Sequence, residues 1–489
     1  DGGAHVLTMG KGNDQVTVVG TAATGTMAFG AGTADELISN HDSADVKGAT
    51  ISGLEKITLN SGKDLVLSEA QGTAFGSIDG FTITGLGGTN SLTFAPKGSA
   101  STADLSGMTL VDIDSITINP DTAADVIKGT TGADNFLIDD EVDYTGTFDG
   151  HTGTDTLTLD TAAMDLTGAT ISNFESVVIQ NSTIQTLTAA QVNGVATSII
   201  AATAATVSIK ADSAASTYDI SAGPTLTNVG VTHNVDNAAD SMKGGAHVDT
   251  FVVAGALTAT GTLDGDGGTD VIDINTTIAV SLVGATLAAE TLDLEAGGTN
   301  VAVTVTAAQK NAFTTITADA DDTLVITGMN GVTIAATAAI DKFTFSATDA
   351  GATITGFSAA TEADILDLDR PITKDAYVES AAGALNFGTG GFFFIEGDIA
   401  NAGASMTLTQ LDEVTGTGTA DFSNIDANEA AYVMFKANAS AASSDAFLYH
   451  VTSDGSAFTA GVHIATFPAF PSVTDPGTAL ANFDMLEIS

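Results

Sequence analysis

The strongest constraint on this chain is an internal repeat. Three tandem units of about 115–120 residues align on a glycine-rich turn that ends in an aspartate, namely Asp14, Asp134 and Asp249. In each unit a second aspartate follows 21 residues later, at Asp35, Asp155 or Asp270. A glutamate follows 20 residues after that, at Glu55, Glu175 or Glu290. Self-similarity at fixed periods is typical of repeat architectures, in which each unit stacks on its neighbours.

The stretches between the acidic turns are short, β-branched and bounded by glycine, as at Thr156–Leu159. Such stretches indicate strands. One turn type recurring every 20–21 residues predicts an all-β fold, a parallel β-solenoid of β-roll-like coils stacked around Gly/Asp turns. Stacked coils lie about 4.8 Å apart, so Asp14, Asp35 and Glu55 should form one ladder. The alternative is a series of tandem β-sandwich domains, against which the fixed acidic spacing speaks.

Unit boundaries follow from the repeat: residues 1–127, 128–242 and 243–350, then a degenerate repeat and secretion-signal region over 351–489. The degenerate copy is placed at Asp364, because it follows Asp249 by 115 residues, although its glycines are lost. Few helices are expected. Ser68 with Gln71, Thr188 with Gln191, and Thr306 with Gln309 have capping-box spacing and predict one short helix per unit, with a loop as the alternative.

Charge and composition exclude several classes of partner. The chain has 60 acidic and 13 basic residues, a formal net charge of −47, and no cysteine. So much negative charge repels nucleic acids and anionic lipid surfaces. We therefore expect no nucleic-acid partner, and no apolar run is long enough for direct membrane insertion. The first residues lack an initiator Met and a signal peptide, which predicts the C-terminal fragment of a larger protein.

The turn sequence from Gly129 to Leu137, Gly-x-x-Gly-x-Asp-x-apolar-x, resembles the calcium-binding nonapeptide of repeats-in-toxin proteins. In that family, backbone carbonyls and the aspartate bind Ca²⁺ between two stacked turns. A hard cation requires six to eight oxygens, which two turns can supply together. Two departures from the family are plain: the turns are 21 residues apart instead of 18, and Thr33 and His247 replace the central glycine.

Carried over position by position, the resemblance implies Ca²⁺ as the cofactor and a carboxylate ligand in every turn. The implied carboxylates are Asp14, Asp35, Asp134, Asp155, Asp249 and Asp270. The implied turn glycines are Gly10, Gly12, Gly30, Gly129, Gly132, Gly150, Gly153, Gly244, Gly265 and Gly267. The alternative is a set of Gly/Asp turns that bind no metal.

The C-terminal region resembles the segments that close the calcium repeats and direct export in proteins of bacterial type I secretion. The similar stretches are 354–357 with 364–368, then 445–451, 461–467 and 482–484. An ordinary C-terminal hairpin domain is the alternative. The export resemblance implies an extracellular protein on a bacterial cell surface.

No catalytic constellation is recognisable, so we expect a protein without enzymatic activity. The seven histidines do not recur in register, and each is expected at the surface or in a turn. The chain as a whole resembles calcium-dependent surface-layer proteins. This implies a structural protein that self-assembles into a homo-oligomeric lattice after type I secretion, with anchoring through a missing N-terminal region. The alternatives are an adhesin or biofilm-matrix fibre, or the calcium and export half of a larger toxin or enzyme.

Overall fold

The computed structural model describes residues 4–95, 100–139, 143–180, 184–210, 215–255, 257–294, 301–319, 322–337, 339–346, 348–357, 364–368, 378–379, 392–396, 430–436, 443–453 and 458–471. The described chain is nearly all β and forms a solenoid in which the strands of successive coils pair in parallel. The predicted fold class is confirmed. Tandem β-sandwiches are excluded, because their sheets would be antiparallel.

One parallel sheet of 15 strands runs through the solenoid. Its strands are Ala44–Asp45, Asp64–Ser68, Ser91–Ala95, Ser115–Ile118, Asp134–Ile138, Thr156–Leu159, Met164–Asp165, Phe174–Ile179, Ile184–Leu187, Val195–Ile209, Thr225–Val235, Asp249–Val253, Val271–Ile274, Thr291–Asp293 and Thr315–Thr317.

Two further parallel sheets have five described strands each. The first contains Gln15–Val18, Glu36–Ser39, Lys56–Leu59, Thr82–Gly85 and Thr109–Val111. The second contains Val280–Ser281, Ala302–Thr306, Thr323–Thr327, Ile340–Phe345 and Ile365–Leu368.

Further parallel strands form three smaller sheets. These are Ala4–Thr8, Thr24–Ala28 and Ala49–Ser52; then Thr102–Asp104, Val126–Lys128, Thr147–Asp149 and Thr170–Ser172; then Thr217–Asp219, Ser241–Lys243, Thr262–Asp264 and Thr286–Ala288.

A seven-stranded sheet contains Thr333–Ala335, Ala352–Thr355, Val378–Glu379, Phe392–Glu396, Ala430–Lys436, Ser443–Ser453 and Phe458–Pro471. Only there does antiparallel pairing occur among the described strands, where Ser443–Ser453 pairs with both Ala430–Lys436 and Phe458–Pro471. Stretches 445–451 and 461–467 lie on these strands, whereas 482–484 lies outside the described residues.

Apolar side chains stack in columns where successive strands pair in register. Phe136 lies beside Leu157, Leu157 beside Val177, and Val177 beside Ile199, and all are buried. Each such side chain contributes about 1.5–3 kcal/mol by burial. The apolar residue two positions after the acidic-turn aspartate is buried, as expected, at Phe136, Leu157, Phe251 and Ile272, and partly buried at Val16; Leu37, two positions after Asp35, is buried as well.

The three capping boxes each begin a short helix: α1 (Glu69–Gly76), α2 (Ala189–Gly194) and α3 (Ala307–Ala312). In each, the box glutamine also reaches back one coil. Gln191 Nε2 donates to the carbonyls of Leu166 and Ala169 at 2.7 and 2.8 Å, and Gln71 and Gln309 make equivalent bonds. The glutamine thus joins each helix to the preceding coil. Among the described residues, no helix is long and apolar enough to span a membrane.

Candidate metal centre

The acidic residues of each unit stack in consecutive coils and form the predicted ladder. Asp14 N donates to Asp35 Oδ1 at 2.6 Å, and Asp35 N donates to Glu55 Oε2 at 2.7 Å. The corresponding distances are 2.8 and 2.6 Å along Asp134, Asp155 and Glu175, and 2.9 and 2.8 Å along Asp249, Asp270 and Glu290. The second aspartate and the glutamate of each unit therefore accept a backbone hydrogen bond from the coil before them, whatever else they bind.

Glycine is required five residues before most of these aspartates, because the carboxylate folds back under the turn. A Cβ at Gly129 would lie 2.6 Å from Asp134 Oδ2, and one at Gly265 would lie 2.0 Å from Asp270 Oδ2. Gly244 is blocked in the same way by Asp249. Gly150 is blocked first by the Asn173 carbonyl and then by Asp155, and Gly30 is blocked by the Gly10 carbonyl.

The glycine two residues before the aspartate has a different function. Gly153 has φ +146° and would place a Cβ 2.2 Å from the Gly132 carbonyl oxygen of the coil before. Gly12 also has positive φ, whereas Gly10 and Gly132 have room for a Cβ. In the last turn the constrained glycine is Gly268, with φ +142°, and not the predicted Gly267, whose Cβ would make an ordinary contact.

The aspartate carboxylates of the second and third units already have protein donors. Asp134 accepts the Thr130 N–H at 2.6 Å and the Thr130 hydroxyl at 2.9 Å. Asp249 accepts the Gly245 N–H at 2.8 Å, and its Oδ1 lies 2.9 Å from His233 Nε2. His233 replaces in register the Ile118 of the preceding unit and is fully buried, so its expected surface position is wrong.

The first unit differs, because Asp14 Oδ2 and Asp35 Oδ2 are buried and have no hydrogen-bond partner. Asp35 itself is 0% exposed. These two oxygens belong to adjacent coils joined by the Asp14 N–H bond. Orphaned buried carboxylate oxygens are costly unless a cation or a proton compensates them. The residues of this turn therefore fit a hard cation better than those of the other first turns.

The raised pKa values of ladder aspartates agree with the lack of lysine partners for them among the described residues. Burial raises the pKa of Asp134 to about 7 and that of Asp155 to about 6, against hydrogen bonds that lower both. Burial also raises the pKa of Asp270. In the described part of the chain, the lysine ion pairs involve other acids: Glu36, Asp42, Asp45, Asp165, Asp266 and Asp367.

Asp125, Asp240 and Asp341 are buried aspartates that were not recognised in the sequence. Asp125 and Asp240, 115 residues apart, each accept a backbone N–H from the coil before, from Ser101 and Ser216. Their shared Ala-Ala-Asp sequence at the unit period was the available signal. Asp341 N donates to Asp364 Oδ1 at 3.0 Å, and Thr337 bonds Asp341 as Thr130 bonds Asp134.

Asp341 and Asp364 are therefore the first and second aspartates of a fourth pair. This corrects the alignment of Asp364 with Asp249.

Within the described residues, no three His, Asp or Glu side chains form a group that could hold a metal ion by themselves. Cation binding at the turns would accordingly depend on backbone carbonyls. Compared with protein-family models, curated proteins and solved structures, the chain matches none.

Proposed function

We propose that this chain is a calcium-stabilised structural protein of a bacterial cell surface, exported by type I secretion, that assembles with copies of itself into a surface layer. The observation that carries the proposal is the pair of buried, unpartnered oxygens on Asp14 and Asp35 in adjacent coils. Calcium is the cation of choice there because the available donors are carboxylate and carbonyl oxygens.

Calcium binding would couple directly to folding. Without a cation, the buried carboxylates of the ladder disfavour the stacked state, on a chain whose net charge is −47. A cation that binds only the stacked coils adds its binding free energy to the folding free energy. Such a chain stays loosely folded where calcium is scarce and folds where calcium is millimolar, which suits export before folding.

A structural role agrees with the surface of the solenoid. One outward row of the long sheet consists of short, uncharged side chains in register, namely Asn135, Thr156, Ser176, Ser198 and Thr225. A row of this kind suits packing of identical copies side by side.

The test is negative-stain electron microscopy of the purified chain with and without millimolar calcium. We expect ordered two-dimensional sheets only with calcium, loss of sheets in Asp35→Asn, and sheets in Asp134→Asn, whose carboxylate is already held by Thr130. Filaments would support a matrix fibre instead. Dispersed particles under all conditions would contradict self-assembly and favour the export half of a larger protein.

A further inference from the structure

Glu69, the first residue of α1, is a buried carboxylate outside the Gly/Asp turns. The residue is 2% exposed. The Ser101 hydroxyl donates to Glu69 Oε2, whereas Glu69 Oε1 is buried and has no hydrogen-bond partner. A carboxylate in this position costs free energy unless a positive charge or a proton accompanies it.

Further acids lie close to it. Asp125 is 0% exposed, and its carboxylate accepts N–H groups of Ser101 at 2.8 Å, Asp121 at 3.1 Å and Thr122 at 3.0 Å. Burial, with smaller contributions from the charges of Asp125 and Asp121, raises the pKa of Glu69 to about 7. Among the described residues, no lysine or arginine forms an ion pair with Glu69 or Asp125.

The second unit contains the same turn without the glutamate. Asp240 accepts the N–H groups of Ser216 at 2.8 Å, Asp236 at 3.1 Å and Asn237 at 2.9 Å. Its helix α2 begins with Ala189 at the place of Glu69. The turn therefore folds without this carboxylate, and Glu69 is an addition to it that the hydrogen-bond pattern does not require.

We propose that Glu69 and the Ser101 hydroxyl, with the neighbouring negative charge of Asp125, hold a divalent metal cation of the Ca²⁺ class at the start of α1. All donors are oxygens, which is the ligand set of a hard cation. Backbone carbonyls or water complete the shell, because the described acids do not form a sufficient group alone. The site is independent of the Gly/Asp turns and does not rest on the proposed function.

The experiment counts bound calcium by isothermal titration calorimetry and checks the site with Tb³⁺ luminescence. Glu69→Gln, which is nearly isosteric, should lose one bound Ca²⁺ or at least tenfold in affinity at one site. Ala189→Glu should gain one site, since Ser216, Asp236 and Asp240 are already in place. Asp42→Asn removes one acid that is largely exposed and serves as the matched control. It should change neither the number of bound calcium ions nor their affinity.

The same titration in an Asp35→Asn background separates this proposal from the preceding one, because the Glu69 site should remain. Circular dichroism confirms that each variant is folded. An unchanged calcium count and affinity in both Glu69→Gln and Ala189→Glu would overturn the proposal. The proposal would also be overturned if Glu69→Gln changed the pH dependence of stability in chelator but left calcium binding unchanged. That result would show that a proton, and not a cation, neutralises Glu69.

Discussion

The smallest unit of this fold is one carboxylate that accepts the backbone N–H of the preceding coil. The bond joins Asp134 N to Asp155 Oδ1 and recurs at every described Asp–Asp step of the ladder, including Asp341 to Asp364. It satisfies a buried donor that would otherwise cost free energy. The need for a hydrogen-bond acceptor is therefore enough to explain an acidic residue at this position, without a bound cation.

Asp155→Ala should lower the free energy of unfolding by about 1–3 kcal/mol, because it leaves the buried Asp134 N–H without an acceptor. Asp155→Asn keeps an oxygen in place and should cost less. Urea denaturation in the presence of chelator measures both without a contribution from calcium. Equal losses in the two variants would show that charge, and not the acceptor, is what the coil requires.

Without calcium, stability should rise as the pH falls from about 8 to about 5. The folded-state pKa values of Asp134, about 7, and Asp155, about 6, lie above the ordinary value of 3.8. The folded state therefore binds these protons more tightly than the unfolded state, and ionisation destabilises it as pH rises through that window. Thermal midpoints across this range in chelator test the slope, which should be shallower in Asp134→Asn. A flat profile contradicts it.

At the scale of elements, the unit is a set of strands closed by a short helix whose glutamine binds the coil before it. The capping boxes could be read from sequence because they depend on residues three apart. The second function of the glutamine could not, since Leu166 and Ala169 come within reach of Gln191 only when coils stack.

Gln191→Ala should lower the free energy of unfolding by about 2 kcal/mol, because it removes one half of the capping box and the side-chain donor of two carbonyls, of which that of Leu166 retains the Ala169 N–H. Gln15→Ala is the control, since Gln15 is exposed and bonds only Glu36 among the described contacts. Urea denaturation gives the loss, and hydrogen exchange should place it in the coil at 164–194. Equal effects of the two substitutions would refute the assigned function.

The buried carboxylates of Asp134 and Asp249 obtain their hydrogen-bond partners in two different ways. Asp134 is held by Thr130, and Asp249 by His233, which also stacks on Phe251 and bonds Tyr218 Oη at 2.8 Å. His233 was missed in the sequence because its partner lies in the next coil, 16 residues away.

His233→Ile should therefore destabilise the chain by about 1–3 kcal/mol, since Asp249 loses a buried partner. Gly245→Thr, which recreates the Thr130 arrangement and whose Cβ would make an ordinary contact with the Ile220 carbonyl oxygen at 3.9 Å, should restore part of the loss. A double-mutant cycle by urea denaturation measures the coupling. Additive effects would contradict the proposed compensation.

At the scale of the whole molecule, the repeat predicted the solenoid but not its irregularities. Asp341 follows Asp249 by 92 residues, whereas the preceding interval is 115, so the third unit is shorter by about one coil. The fourth pair was misaligned because the glycines that guided the alignment are absent there. Thr337 donates to Asp341 there, as Thr130 does to Asp134, so the turn keeps its hydrogen bonds although the glycines are absent.

Stacked coils contact mainly their neighbours, so a local cation can set the stability of the region around it. The described core divides into two clusters, one ending at Val231 and the other beginning at Val235, with the polar pair His233–Asp249 between them. Stabilisation at the Asp14–Asp35 turn should therefore be strongest in the first cluster.

The most direct test of calcium binding at the first turn is the thermal midpoint of a Glu69→Gln chain titrated with calcium, beside the same chain carrying Asp35→Asn or Asp134→Asn. At free calcium one hundred times the dissociation constant, one site adds about 2.7 kcal/mol. We predict that the midpoint rises with millimolar calcium in the Glu69→Gln chain and in its Asp134→Asn derivative, and rises much less with Asp35→Asn. A midpoint that millimolar calcium leaves unchanged in all three would contradict the account.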